Sequence, residues 1–289
     1  MRFVSYNIQY GFGLDRRFDP ERIAANLEGA DVIALQEVTR GAAVNDGADL
    51  PEIFASLFPD YHWIYGPACD LHSASEIVDG RRVDRRYQFG NMILSRWPIL
   101  SHRLLLLPRT RSYERLNMQR GASEAVIDAP GGALRLYCVH LDHVAPDERI
   151  AQIHFLKERA FNFVQEGGAI TMGAEFGLPQ PPMTEDFLLM GDFNMQPESP
   201  EYVAMVGTKD AYYDRDARTG VPVDALARLG RLTPGCYSWE ETGHPDMRMH
   251  LDYGFLSGSL VPRLKDAWVD VKAEGSDHFP VWVELAGKV

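Results

Sequence analysis

Short apolar runs recur on both sides of the midpoint of this 289-residue chain, with amphipathic helical stretches between them. Runs this short suit strands rather than buried helices. Residues 2–8 form the first, and Val32 to Leu35 the second, apolar without alternation as in a strand covered on both faces. Asn91 to Leu94 follows, then Ala122 to Asp128 and Leu134 to His140 as a hairpin around Pro130-Gly131-Gly132. Phe187 to Met190, Leu251 to Leu256 and Pro280 to Leu285 complete the set, the last with Val281 and Val283 on one face.

The helices between carry recognisable ends. Asp19-Pro20-Glu21 opens one whose buried stripe is Ile23 and Leu27 and which Gly29 closes. A second follows Pro51, with Ile53, Phe54, Leu57 and Phe58 inward. The longest starts at Pro146-Asp147-Glu148, where Ile153, Leu156, Ala160 and Phe163 recur at helical spacing. Ser199-Pro200-Glu201 caps another that stops at Gly207. Residues 66–86 read as a polar loop, and Gly167 to Pro182 as a Gly/Pro-rich loop suited to an active-site lid. No linker is evident, so residues 1–289 are expected to form a single domain, two sheets face to face with helices outside.

Composition narrows the class. Apolar content of 45% and charged content of 24% are ordinary for a globular enzyme. Cys69, Cys138 and Cys236 are few and scattered, which favours reduced thiols and a cytoplasmic location. Met1 leads straight into a strand without the apolar core of a signal peptide. The run Leu104 to Leu107 ends at Pro108, so no integral membrane segment is expected. The net charge of −12 argues against broad nucleic-acid affinity. Residues 81–120, however, hold ten arginines against Asp84 and Glu114, a local +8 within a remainder of −20. They make either a solvated surface or a guanidinium wall facing an anionic substrate. Oligomeric state leaves no signal here.

Polar side chains close many of the apolar runs. Asn7, Glu37, His140, Asp192-Phe193-Asn194 and Asp277-His278 all stand at strand margins. Singly, each has an ordinary reading. Asn7 suits a turn, Glu37 an ion pair with Arg40, and Gly-Asp-x-Asn a tight turn. His140 alone suits a satisfied rim position. If extended, Asp192 and Asn194 point the same way. Asp252 can fix the tautomer of His278. Together these hard oxygen ligands and imidazoles are the inventory for Mg²⁺-assisted attack on a phosphoester.

The ordered set Tyr6-Asn7, Gln36-Glu37, Gly90-Asn91, His140-Leu141, Gly191-Asp192-Phe193-Asn194, Leu251-Asp252-Tyr253 and Ser276-Asp277-His278-Phe279-Pro280-Val281 resembles the endonuclease/exonuclease/phosphatase family. The resemblance implies an α+β fold, a four-layer αββα sandwich of two packed mixed sheets. It implies Mg²⁺, with Mn²⁺ as the alternative, held by Glu37 with Asn7 and Asp277. Asp192 would orient or deprotonate water beside Asn194, Asp252 would orient His278, and His140 would bond a phosphate oxygen. Asn91 and Arg120 would be substrate contacts, and His143 lies further out.

A phosphoester substrate is therefore expected, preferably a small molecule or headgroup. A nuclease acting on DNA or RNA is the alternative, and a non-catalytic binding module the third. Phe176-Gly177-Leu178 is the one apolar loop that could face a lipid.

Overall fold

The computed structural model describes residues 1–287. The strands of the first half are β1 (Arg2–Asn7), β2 (Val32–Arg40), β3 (His62–Val78), β4 (Arg81–Ser95), β5 (Ile99–Leu106), β6 (Gly121–Ile127) and β7 (Leu134–His140). Those of the second are β8 (Phe187–Asp192), β9 (Val223–Asp224), β10 (Trp239–Glu241), β11 (His244–Met249), β12 (Asp252–Leu256), β13 (Leu264–Val269) and β14 (Val281–Leu285). Helices are α1 (Pro20–Ala25), α2 (Leu50–Leu57), α3 (Pro146–Glu166), α4 (Pro200–Val206) and α5 (Ala225–Arg228).

Two six-stranded sheets result, ordered β13-β14-β1-β2-β4-β3 and β5-β6-β7-β8-β12-β9. Each runs from a hairpin edge through one parallel pair to an antiparallel partner. The parallel pairs are β1 with β2 and β7 with β8. Their crossovers carry α1 and α3, as parallel strands require a long return. Phe3, Ala34, Leu136, Met190, Val281 and Val283 pack between the sheets. Tyr6, Ile33, Leu35 and Phe54 bury the outer face of one sheet under α1 and α2, and Ile153, Leu156, Tyr202 and Phe255 that of the other under α3 and α4. This is the αββα sandwich. It explains why Val32 to Leu35 shows no alternation, since both faces of β2 are covered.

Sequence signals located the helix ends well. The side chains of Asp19, Asp49 and Ser199 accept backbone N–H groups at the starts of α1, α2 and α4, and Gly167 and Gly207 end α3 and α4. The exception is the end of α1: it stops at Ala25 with Asn26 as its cap, not at Gly29, so Leu27 is buried but lies beyond it.

Two expectations fail. Residues 66–86 are not a loop but most of a long hairpin, β3 with β4, turning at Asp79-Gly80 with φ of 50° and 74°. Those left-handed values mark a two-residue turn that favours Asp-Gly. The outer part of the hairpin is exposed on both faces, so no apolar alternation announced it. The loop at 167–182 is not a lid. It leads towards Phe187 at the start of β8, whereas the polar residues gather at Asp192, the other end. Exposed Phe176 and Leu178 are remote for the same reason. Of the ten arginines, Arg85 pairs with Glu76, Arg86 with Asp70, and Arg103 with Glu124 and Glu166, which favours the solvated-surface alternative for that stretch over one continuous wall.

The backbones of β7 and β8 approach closely at Gly191. A Cβ there would sit 1.8 Å from the Val139 carbonyl oxygen, at φ 156°. Gly191→Ala is expected to destabilise the protein by roughly 3–5 kcal/mol, because backbone on both sides must move. Denaturant unfolding measures this, and a loss below about 1 kcal/mol would show that the strands separate easily.

Candidate active site

The C-terminal ends of β1, β2, β7 and β8 meet at one end of the sandwich. The starts of β12 and β14 lie there too, because these strands run antiparallel to β8 and β1. His140 and Asp192 are register partners across β7 and β8, and Asp252 faces Asp192 across β12. Asn7 Nδ2 donates to Asp192 Oδ2 at 3.0 Å, tying the two sheets together at this point.

Glu37 arrives by a different device. Opposite Asn91, strand β2 has two residues, Gln36 and Glu37, where β4 has one. Glu37 takes the left-handed φ of 60°. Such a bulge bends the strand and re-aims the side chain. The carboxylate enters a cavity of about 290 Å³ shared with Arg120, His140, Asp192, Asn194, Asp277 and His278. Burial raises its pKa to about 7, and the neighbouring Asp277 adds to the effect. Its oxygens meet no hydrogen-bond donor among the described residues.

Around Asp192 the contacts are dense. Oδ1 accepts the Asn194 backbone N–H at 2.9 Å, and Asn194 Nδ2 donates to the Leu141 carbonyl at 3.2 Å. Asn194 has φ 48°, so a turn closed by the Asp192 side chain, not strand alternation, brings the pair together. His140 Nε2 and His278 Nε2 lie 3.5 and 3.7 Å from Asp192 Oδ2.

His278 Nδ1 is 2.8 Å from Asp252 Oδ2, which also accepts the Ser238 hydroxyl at 2.7 Å. Burial alone would pull the imidazole pKa down. The carboxylates of Asp252, Asp192 and Asp277 outweigh it and hold His278 well above its ordinary value. His140 goes the other way, driven down by burial and then by the Arg120 charge. A neutral imidazole can accept from Arg120, whose Nη1 lies 2.9 Å from His140 Nε2 while Nη2 lies 2.8 Å from His143 Nδ1. Arg120 is 4% exposed, its Nε has no partner, and Phe89 covers one face of the guanidinium.

Several expected residues stand behind the cavity rather than in its wall. Asn7 reaches it only through Asp192, and Asp252 only through His278. Asn91, expected as a substrate contact, donates both amide hydrogens to the Gly121 and Cys138 carbonyls and fastens β4 to the second sheet. Arg40, the alternative partner of Glu37, pairs with Asp49. Conversely, Gln9 and Trp239 escaped notice. Gln9 Nε2 donates to Asp277 Oδ2 at 2.8 Å, and Trp239 Nε1 to the same oxygen at 3.2 Å. Gln9 stands two residues after Asn7, a spacing that could have flagged it. Trp239 lies on a three-residue strand with no local pattern.

Two groupings could hold a cation. Asp192, Asp252 and His278 offer ligand atoms within 4.8 Å of one another. In that set Asp252 Oδ2 is engaged by Ser238 and His278, as Asp277 Oδ2 is by Gln9 and Trp239, whereas Glu37 meets no donor. Glu37 and Asp277 fit better. A half-buried carboxylate without a donor beside a second one is costly unless a cation or solvent compensates.

A family model described as the Endonuclease/Exonuclease/phosphatase family matches residues 4–278, from inside β1 to His278 itself. The chain belongs to this family. Members of the endonuclease/exonuclease/phosphatase family are phosphoester hydrolases. Solved structures share the fold at low identity. A Bacteroides vulgatus family member is 17% identical, covering 98% of this chain and 97% of that one, with a TM-score of 0.64. A mannosyl-6-phosphatase from Bacteroides thetaiotaomicron is 18% identical, covering 99% of each chain, with a TM-score of 0.61. D. rerio TDP2, complexed with a single-strand DNA product, is 19% identical, covering 98% and 97%, with a TM-score of 0.61. No curated protein matches the sequence. No helix among the described residues is long and apolar enough to cross a membrane.

Proposed function

We propose that this protein hydrolyses phosphoesters by in-line attack of water, using Mg²⁺ or Mn²⁺. The observation that carries this reading is Arg120, a buried guanidinium without a carboxylate partner among the described residues, in the same cavity as Glu37, Asp192 and Asp277. An unpaired buried cation beside an acidic cluster suits a ligand that is anionic and a cofactor that is cationic.

Glu37 and Asp277 would hold the metal ion; Asn7, expected beside them, spends its amide on Asp192 and the Gln9 N–H. When bound, the ion supplies positive charge to the phosphate oxygens. Asp192 takes a proton from the attacking water, steadied by Asn7 and the Asn194 backbone. Asn194 and neutral His140 face the phosphoryl oxygens, and Arg120 offsets their charge. Imidazolium His278, oriented by Asp252, completes the acid–base set. Positioning of this kind can supply ~7–11 kcal/mol of a barrier.

A small or headgroup phosphoester is the preferred substrate, because three of the six arginines of residues 81–106 are paired with carboxylates and the net charge is −12. A nuclease is the second reading. It is favoured by the strap from 107 to 120, where exposed Arg111, Tyr113 and Arg115 stand beside Leu116 and Met118 of the cavity wall.

The test is a panel of sugar phosphates, nucleotides, headgroup diesters and oligonucleotides at fixed Mg²⁺, with EDTA controls. Metal-dependent release from at least one class is expected. Arg120→Met should raise KM and lower kcat/KM by roughly 10–100-fold, the loss of one charge-assisted phosphate contact. No turnover of any class with either metal would overturn the reading.

A further inference from the structure

A second cavity, about 540 Å³, opens beside the first and shares three residues with it, Tyr10, Trp239 and Asp277. Its remaining walls include Phe12, Val44, Arg16 and Glu241. We propose that it is a subsite for the planar aromatic ring of the substrate, so that this protein acts on nucleotide-type phosphoesters. The proposal rests on the phosphoester reading above.

Continuity is the first argument. A group bound to phosphate in the Glu37–Asp192–His278 cavity needs only to pass Tyr10 and Trp239 to enter the second one. A volume of this size lies within the range of small-molecule sites.

The walls are aromatic and held in place. Trp239 is fixed by its indole N–H on Asp277, by the Glu240 N–H to Asp277 carbonyl bond at 2.9 Å, and by its bridge to His278. Tyr10 belongs to a turn in which Gln9, Tyr10 and Gly11 take φ of 42°, 56° and 94°. Two successive non-glycine residues at positive φ, Gln9 and Tyr10, are an uncommon geometry of the kind found at functional sites. That turn presents Tyr10 to both cavities, its ring 5.7 Å from Phe89, and leaves Phe12 against Phe18 at 5.5 Å. None of these rings needs to reorganise before a flat ligand stacks on it.

The polar groups are few and peripheral. Gln9 and Asp277 already bond each other. Arg16, Glu241 and Thr242 remain to meet the hydrogen-bonding edge of a base. A sugar ring, with hydroxyls all round, would need more free acceptors than this lining offers. A base needs faces to stack on and one polar edge.

The test uses isothermal titration in EDTA, which prevents turnover, with three probes: thymidine 5′-phosphate, ribose 5-phosphate and free thymidine. Thymidine 5′-phosphate is expected to bind roughly tenfold or more tightly than ribose 5-phosphate, the increment typical of one stacked base. Phe12→Ala should reduce that ratio towards one without changing the ribose 5-phosphate affinity. Val44→Gln narrows the same cavity from a position 60% exposed, where folding is not at stake, and should act likewise. Equal affinity for the two phosphates, or an undiminished ratio in Val44→Gln, would overturn the proposal. Should neither phosphate bind to the metal-free protein, the phosphates do not report on the subsite. Free thymidine then decides the subsite, supporting it if it binds and Val44→Gln weakens it, and refuting it if it does not bind.

Discussion

Asp192→Asn is expected to lower kcat about 10²–10⁴-fold, the range lost when a general base is removed. The substitution keeps the shape of the side chain and can still accept the Asn194 N–H. The fold should therefore survive, with a thermal midpoint within a few degrees of wild type. The amide carries no charge and cannot take a proton from water. Because Asp192 Oδ2 is the point where Asn7, His140 and His278 converge, removing its charge also weakens the hold on both imidazoles. KM should move far less than kcat, since the phosphate contacts are made by other groups. Steady-state kinetics on whichever substrate the panel identifies gives the answer. A metal-dependent rate close to wild type would assign proton transfer elsewhere.

The second large effect concerns Glu37 and pH. In the metal-free protein its pKa is raised from the ordinary carboxyl value to about 7, chiefly by burial. Proton and metal ion then compete for one carboxylate. Apparent Mg²⁺ affinity should rise about tenfold per pH unit below 7 and level off above it. Glu37→Gln should lose metal-dependent turnover and flatten that profile. Stability has the opposite sign of dependence. A raised carboxyl pKa means that the folded state holds this proton more tightly than the unfolded chain does. The contribution is therefore fully present below about pH 4.5 and is lost as pH climbs through 7. Metal-free Glu37→Gln should accordingly gain stability over wild type as pH rises through that window, measured by denaturant melts in EDTA. Equal pH dependence of stability in the two proteins would show that burial does not raise the Glu37 pKa, and an unchanged Mg²⁺ affinity in Glu37→Gln would remove it from the metal site.

Many of the residues that line the candidate cavity were legible before any coordinates. Glu37, His140, Asp192, Asn194, Asp277 and His278 are polar residues at the margins of apolar runs, and such margins crowd together when parallel strands share a sheet. Caps were legible for a related reason: Asp19 and Ser199 satisfy amides only a few residues away. The long hairpin was not legible, because its exposed strands carry charges on both faces and periodicity reports burial alone. Arg120 was only half legible. Its sequence neighbours are nine other arginines of the same segment, and nothing local distinguishes the one that is buried.

The sequence by itself therefore determined which residue types end which strands, the layered α+β architecture and the kind of chemistry available. Tertiary structure alone decided the rest. It turned Glu37 inward through a bulge and set Asn91 to bridging sheets rather than touching substrate. It also left Arg120 without a counter-charge and placed Gln9 and Trp239 on Asp277. The physical reason is range. Strand and cap signals come from neighbours a few positions away, whereas desolvation and charge pairing depend on residues tens to hundreds of positions distant, which meet only when the chain folds.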